Sequence, residues 1–169
     1  MELTTINQLI AAGSGLAGAL VGATISGLAN YRLEHSKRNY EAKALLAGFV
    51  SEIISLRDII IFRGYMTGLS ELLDLTIIKN GGVYQYKVNI PSNYARFYDA
   101  NLGKIGLIPS IKLMKIMQFH QIIFAISQDF KPDSPLYQFG YDKRAIEETL
   151  AGLNSAMHLA DEIADWKVD

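Results

Sequence analysis

The stretch from Leu9 to Ala29, LIAAGSGLAGALVGATISGLA, decides how the rest of the chain is read, because it runs 21 residues without a charged side chain. As an α-helix it is roughly 31 Å long, the thickness of a bilayer's hydrocarbon core. Glycine, alanine and serine outnumber leucine, isoleucine and valine in it, so a lone copy is a marginal span that gains from association. A secretory signal peptide opens on a basic segment, whereas the only charged side chain before Leu9 is Glu2. Basic residues follow the stretch instead: Arg32, His35, Lys37, Arg38 and Lys43. The positive-inside rule then predicts an uncleaved single-pass protein of the cell membrane, N-terminus outside and residues 32–169 in the cytoplasm. In a bacterium the membrane is the inner one.

The small residues of the stretch fall into two rows. Ala11, Gly15, Ala19, Ala23 and Gly27 recur at every fourth position, and Ser14, Gly18, Gly22 and Ser26 form a second row beside them. This is a glycine-zipper pattern: two flat stripes let neighbouring helix backbones approach closely, which predicts a homo-oligomer held by these nine residues. Gly13, Gly15 and Gly18 also spell G-x-G-x-x-G, a dinucleotide fingerprint. That chemistry needs a β-branched strand before the glycines and a second strand ending in an acid about 20 residues on. Here TTINQLIAA precedes and YRLEHSKRNYEAK follows, so the match is an accident of a glycine-rich helix.

The rest of the composition bounds the chemistry. The chain has 169 residues, 16 basic and 17 acidic side chains, a net charge of -1 and a mean hydropathy of +0.15, which fits one ordinary domain with a sufficient core or a smaller domain plus an appendage. With no cysteine, a disulfide framework, a zinc ribbon and a thiol nucleophile are excluded.

Beyond Asn30 the periodicity is helical. Ala42, Leu46, Phe49, Ile53, Leu56 and Ile60 step by 4, 3, 4, 3 and 4, an a/d seam that suits either a coiled coil or an amphipathic helix packed within its own chain, ending near Arg63 and Gly64. A second helix runs from Met66 to Lys79 before the Asn80-Gly81-Gly82 stop. The stretch from Val83 to Ile90 alternates weakly and reads equally as a strand or a loop. Ser92 can cap a short helix through Asn101, broken by Gly103 and Gly106, and Pro109-Ser110 opens a long apolar helix to about Asp129. That helix has 13 uncharged residues between Lys115 and Asp129, too few to span a bilayer, and is a core helix. After the linker KPDSPLYQFGYD, a final helix places Ile146, Leu150, Leu153, Met157, Ala160 and Ala164 on one face. The fold class is all-α: a transmembrane helix over 1–30, a juxtamembrane amphipathic helix over 31–64 with coiled-coil character, and a cytoplasmic helical bundle over 65–169.

The segment Tyr98-Asp-Ala-Asn-Leu-Gly-Lys-Ile-Gly-Leu107, followed by Pro109 and an apolar helix, resembles short bacterial and phage-borne membrane proteins with one N-terminal span, a charged helix and a Y-x-x-N-x-x-x-L/I-G-L-hydrophobic-P segment. The resemblance covers most of the chain. It implies a helical, membrane-tethered cytoplasmic domain and carries no catalytic residue with it.

No constellation of residues points to catalysis. His35, His120 and His158 lie far apart, none in an H-E-x-x-H arrangement; His158 beside Asp161 and Glu162 reads as solvated surface, and His120 as a hydrogen-bonded core residue. No G-x-S-x-G or P-loop occurs. The chain is read as a non-enzyme without a cofactor. Charge is nevertheless segregated: residues 79–115 carry six bases against Asp99, a net of +5, and residues 129–169 carry nine acids against four bases, a net of -5. The two regions either neutralise one another within the chain, or Lys79, Lys87 and Lys104, with Tyr84, Tyr86, Tyr94, Phe97 and Tyr98, meet anionic lipid headgroups or an acidic partner, as Arg32, Lys37 and Arg38 would beside the membrane. Nucleic acid is not expected, because no basic recognition helix is evident. Two functions fit: a membrane-anchored, self-assembling scaffold that presents its helical domain to a cytoplasmic protein, or an oligomeric pore-forming effector of a bacterial or phage immunity or lysis system. A conducting path has little polar lining beyond Ser14, Thr24 and Ser26, which favours the scaffold.

Overall fold

The computed structural model describes the backbone of residues 2–91 and 93–166, with side chains from residue 13 onward except that of Ala17. The chain is all-helical and divides into two compact units, 1–42 and 43–169. Helix α1 runs unbroken from Glu2 to Phe62 through both. No proline interrupts it, and it stops where Gly64 takes a φ of 64°, a left-handed conformation that glycine adopts without steric cost.

In the first unit the described apolar side chains of α1 are exposed, Leu16 at 67 % and Ile25 at 62 %. Among the described residues no helix is long and apolar enough to cross a membrane. Leu9, Ile10, Ala11, Ala12 and Ala17, which belong to the 21-residue uncharged stretch, lie outside the described side chains.

The second unit is a bundle built of α1 from Lys43 on, α2 (Tyr65–Leu72), α3 (Thr76–Lys79), α4 (Arg96–Asn101), a 3₁₀ turn (Leu102–Leu107), α5 (Ser110–Asp129), α6 (Pro135–Phe139) and α7 (Lys143–Ala164). Leu46, Phe49, Ile53, Leu56 and Ile60 of the α1 seam are buried against the chain's own helices, so the packed-within-chain form of the amphipathic helix is the one adopted. Each such side chain removed from water stabilises the fold by about 1.5–3 kcal/mol before chain entropy is counted.

The expected helix from Met66 to Lys79 is two helices, interrupted at Leu73–Leu75, with Leu69, Leu72 and Ile78 turned inward. Helix α4 starts at Arg96; Ser92, expected to cap it, lies outside the described residues. The 83–90 segment is extended and paired at one point: Tyr84 donates its N–H to the Tyr141 carbonyl (2.9 Å) and accepts from the Tyr141 N–H (2.8 Å). Gly140 beside it, at φ 93°, takes a conformation that strains any other residue, and a Cβ there would press to 3.1 Å from the Tyr84 carbonyl oxygen. Two helix starts are capped locally. The Ser134 hydroxyl accepts from the Tyr137 N–H and the Asp142 carboxylate from the Ala145 N–H (2.8 Å).

Helix α7 packs on α5 and α2, and its buried face is not the expected one. Ile146, Leu153 and Ala160 are buried as predicted, but Thr149, Ala156 and Ile163 complete the stripe, while Leu150, Met157 and Ala164 are only half-buried. The small residues let α5 come close: a Cβ on Gly152 would lie 3.1 Å from Ile126 Cδ1.

Candidate functional site

Two features stand out from the packing, one in each unit. In the first, the described small residues of α1 are exposed, and a Cβ added at Gly15, Gly18, Gly22 or Gly27 meets nothing within 4 Å. Ser14, Ala19, Ala23 and Ser26 are exposed on the same helix, and Ala11 lies outside the described side chains. Thr24 turns its hydroxyl back onto the Leu20 carbonyl (2.7 Å). Arg32, Lys37 and Arg38 are exposed further along, where Asn39 Nδ2 lies 3.1 Å from His35 Nδ1.

The second feature is built around His120, on the inward face of α5. Its side chain is 3 % exposed and, against the expectation of a hydrogen-bonded core histidine, neither ring nitrogen has a hydrogen-bond partner among the described residues. The Tyr98 ring stacks on it at 4.0 Å between centroids, and Phe119 meets it edge-on. Glu52 approaches to 3.8 Å from Nε2, beyond hydrogen-bonding distance, and its two carboxylate oxygens are engaged by backbone donors. They accept the backbone N–H groups of Phe97 (2.6 Å) and Tyr98 (2.9 Å), so a residue of α1 caps the first turn of α4. Burial pushes the imidazole down to about 4, which keeps His120 neutral at pH 7.

Phe97 locks the same junction from the other side. Its ring stands edge-on to Phe49 at 5.2 Å and occupies the space over Gly48, where a Cβ would lie 2.0 Å from Cζ. Glu52 carries a sequence signal that was open to view: Leu45, Phe49, Glu52 and Leu56 follow a 4, 3, 4 spacing, which places a carboxylate on an otherwise apolar face. Nothing comparable announces the unpaired state of His120.

Between α4, α5, the extended 87–91 segment and the loop before α6 lies a cleft of about 560 Å³ with His120, Tyr94, Tyr98 and Tyr137 in its walls. Burial raises the Tyr94 and Tyr98 hydroxyls above the ordinary tyrosine range, so both stay protonated. The aromatic set expected at a headgroup or partner surface is thus largely inward: Tyr86 packs on Phe130, Phe97 on Phe49 and Tyr98 on His120, while Tyr84 is exposed.

The basic residues are dispersed. Lys79 pairs with Asp74 (3.0 Å), Lys87 Nζ stands 4.9 Å above the Tyr137 ring, and Lys104 is exposed on the 3₁₀ turn. Part of the charge segregation is neutralised within the chain, since Lys115 of α5 pairs with Glu162 of α7, and Arg57 of α1 reaches Asp161 at 2.9 Å. Those pairs occupy the two acids next to exposed His158, and among the described residues no group of three His, Asp or Glu side chains could hold a metal ion. No protein-family model matches the chain, and neither a curated protein nor a solved structure matches it.

Proposed function

We propose that this protein is a non-enzymatic membrane-anchored scaffold: residues 9–29 hold it in the membrane and assemble copies through the small-residue rows, and the 43–169 bundle is presented to a protein partner on the cytoplasmic side. The observation that carries the proposal is the 21-residue uncharged stretch with its two rows of small side chains, followed at once by Arg32, Lys37 and Arg38. Its support in space is that, among the described residues, a Cβ added at Gly15, Gly18, Gly22 or Gly27 meets nothing within 4 Å, while Leu16, Leu20, Val21 and Ile25 are exposed around them. An apolar face of that size left in water is unfavourable, and lipid or a second copy relieves it. The Y-x-x-N-x-x-x-L/I-G-L resemblance to short bacterial and phage-borne membrane proteins points the same way, toward a bacterial inner membrane.

The test is crosslinking in membranes of the native protein and of Gly18→Ile with Gly22→Ile. Isoleucine is more apolar than glycine, so insertion persists, whereas close helix approach does not, and the crosslinked oligomer disappears. A double variant that crosslinks like the native protein refutes assembly through the zipper, and a native protein that partitions away from membranes refutes the anchor. Ion leakage that accompanies the native oligomer and is lost in the variant would replace the scaffold with a pore.

A further inference from the structure

The cleft between α4 and α5 has the attributes of a ligand site rather than of a packing defect, and we propose that it binds a small aromatic carboxylate. Three independent observations lead there. The first is size and shape: about 560 Å³ falls within the range of small-molecule pockets, and its walls are the rings of Tyr94, Tyr98, Tyr137 and Phe124, with Pro91 and Pro132 beside them. Flat, stiff walls of this kind favour a planar ring, because offset stacking costs little side-chain entropy when the aromatic partner has only two torsions to fix.

The second is charge. The ionisable side chains lining the cleft are Lys87 and Lys131 against Asp99, with His120 neutral, an excess of one positive charge in a chain whose net charge is -1. Lys87 is held in the lining by its position above the Tyr137 ring, so its ammonium group is in place for an anionic substituent on a ring stacked nearby. The third is His120, a wall residue of the same cleft with two unpaired ring nitrogens. A buried polar group without a partner is costly, and a neutral imidazole has one donor and one acceptor to give. Both nitrogens are covered and Nε2 stands 3.8 Å from Glu52, so a ligand's polar group reaches the imidazole only by entering beside Tyr98, while its carboxylate charge is met by Lys87 and Lys131.

The site is tested on the full-length protein in lipid nanodiscs, with 2-naphthoate as probe, 2-naphthalenemethanol as its uncharged counterpart and decanoate as an acyl anion, against empty nanodiscs as blank. Saturable binding of 2-naphthoate is expected at a Kd of about 10 µM to 1 mM, the range open to a ligand of that size. Lys87→Glu with Lys131→Glu, both at exposed positions, weakens 2-naphthoate at least tenfold and leaves the alcohol unchanged. Gln121→Trp, also exposed and on the cleft wall, fills the opening and abolishes both, with its unfolding midpoint as the control for folding. Affinity for 2-naphthoate that survives the charge reversal, or that equals that of the alcohol in the native protein, overturns the anion. Affinity that survives Gln121→Trp in a folded protein overturns the cleft, and tighter binding of decanoate overturns the aromatic class.

Discussion

Acidification should destabilise this protein through one side chain. The unfolded chain binds a proton at His120 near pH 6.5, whereas in the folded protein burial holds the imidazole at about 4. Between those values the unfolded state binds more protons, so the contribution is fully present above pH 6.5 and is lost as pH falls toward 4. At pH 5 nearly every unfolded molecule carries the proton and few folded ones do, which amounts to about 2 kcal/mol of stability lost relative to pH 7.5. Glu52 stands 3.8 Å from Nε2 while accepting the Phe97 and Tyr98 N–H groups, and burial outweighs its attraction for the imidazolium. His120→Phe keeps a ring against Tyr98 and removes both unpaired nitrogens, so at pH 7.5 it should be as stable as the native protein or up to about 1 kcal/mol more stable. The assay is urea unfolding of the full chain in mild detergent at pH 7.5 and 5.0, followed by the fluorescence of its single tryptophan, Trp166, which packs on the bundle core. The half-buried Asp129 carboxyl, raised by desolvation, shifts stability in the opposite direction, but equally in both proteins, and cancels in the comparison. Equal losses for the native protein and the variant between the two pH values would refute the assignment of a depressed, titrating His120.

Glu52→Ala strips the cap from α4 and leaves two N–H groups without acceptors, for an expected loss of about 2–4 kcal/mol and fast amide exchange at Phe97 and Tyr98; slow exchange there would show that α4 does not depend on Glu52. Leu153→Asp puts an unpaired charge into the α5–α7 contact, where the native side chain is buried, and should cost several kcal/mol; an unchanged unfolding midpoint would place Leu153 outside the core.

What could be read from the residue order was whatever is enforced locally. Gly64 marks the end of α1, Pro109 and Ser110 the start of α5, and the α1 seam from Leu46 to Ile60 is the buried face, because backbone conformation and helical period act over a few residues. Where the neighbour decides, periodicity misled. On α7 the larger side chains Leu150 and Met157 drew the predicted stripe toward themselves, but the buried stripe is completed by Thr149, Ala156 and Ile163, and Gly152 lies close against Ile126 of α5. The Met66–Lys79 helix breaks around Asp74, and Ile78 of the second piece is buried. Whether 83–90 forms a strand was undecidable in the sequence because its mate, Tyr141, lies in what reads as a linker. The cleft was invisible for the same reason: its walls come from α4, α5, an extended segment and a loop, and neither volume nor an unpaired imidazole has a one-dimensional signature.

The cap that Glu52 supplies to α4 also orders events in time. A six-residue helix does not persist alone, since nucleation outweighs the few bonds it makes. Its first-turn acceptor lies 45 residues earlier in the chain from Phe97, so α4 cannot be secured until α1 has found it. Helices α1, α5 and α7, each long enough to form its own turns, therefore condense first, and α4 with the following 3₁₀ turn joins late. By the same logic this segment is the first to open in the native state, and limited proteolysis should cut between Arg96 and Lys104 before it cuts any helix of the bundle core.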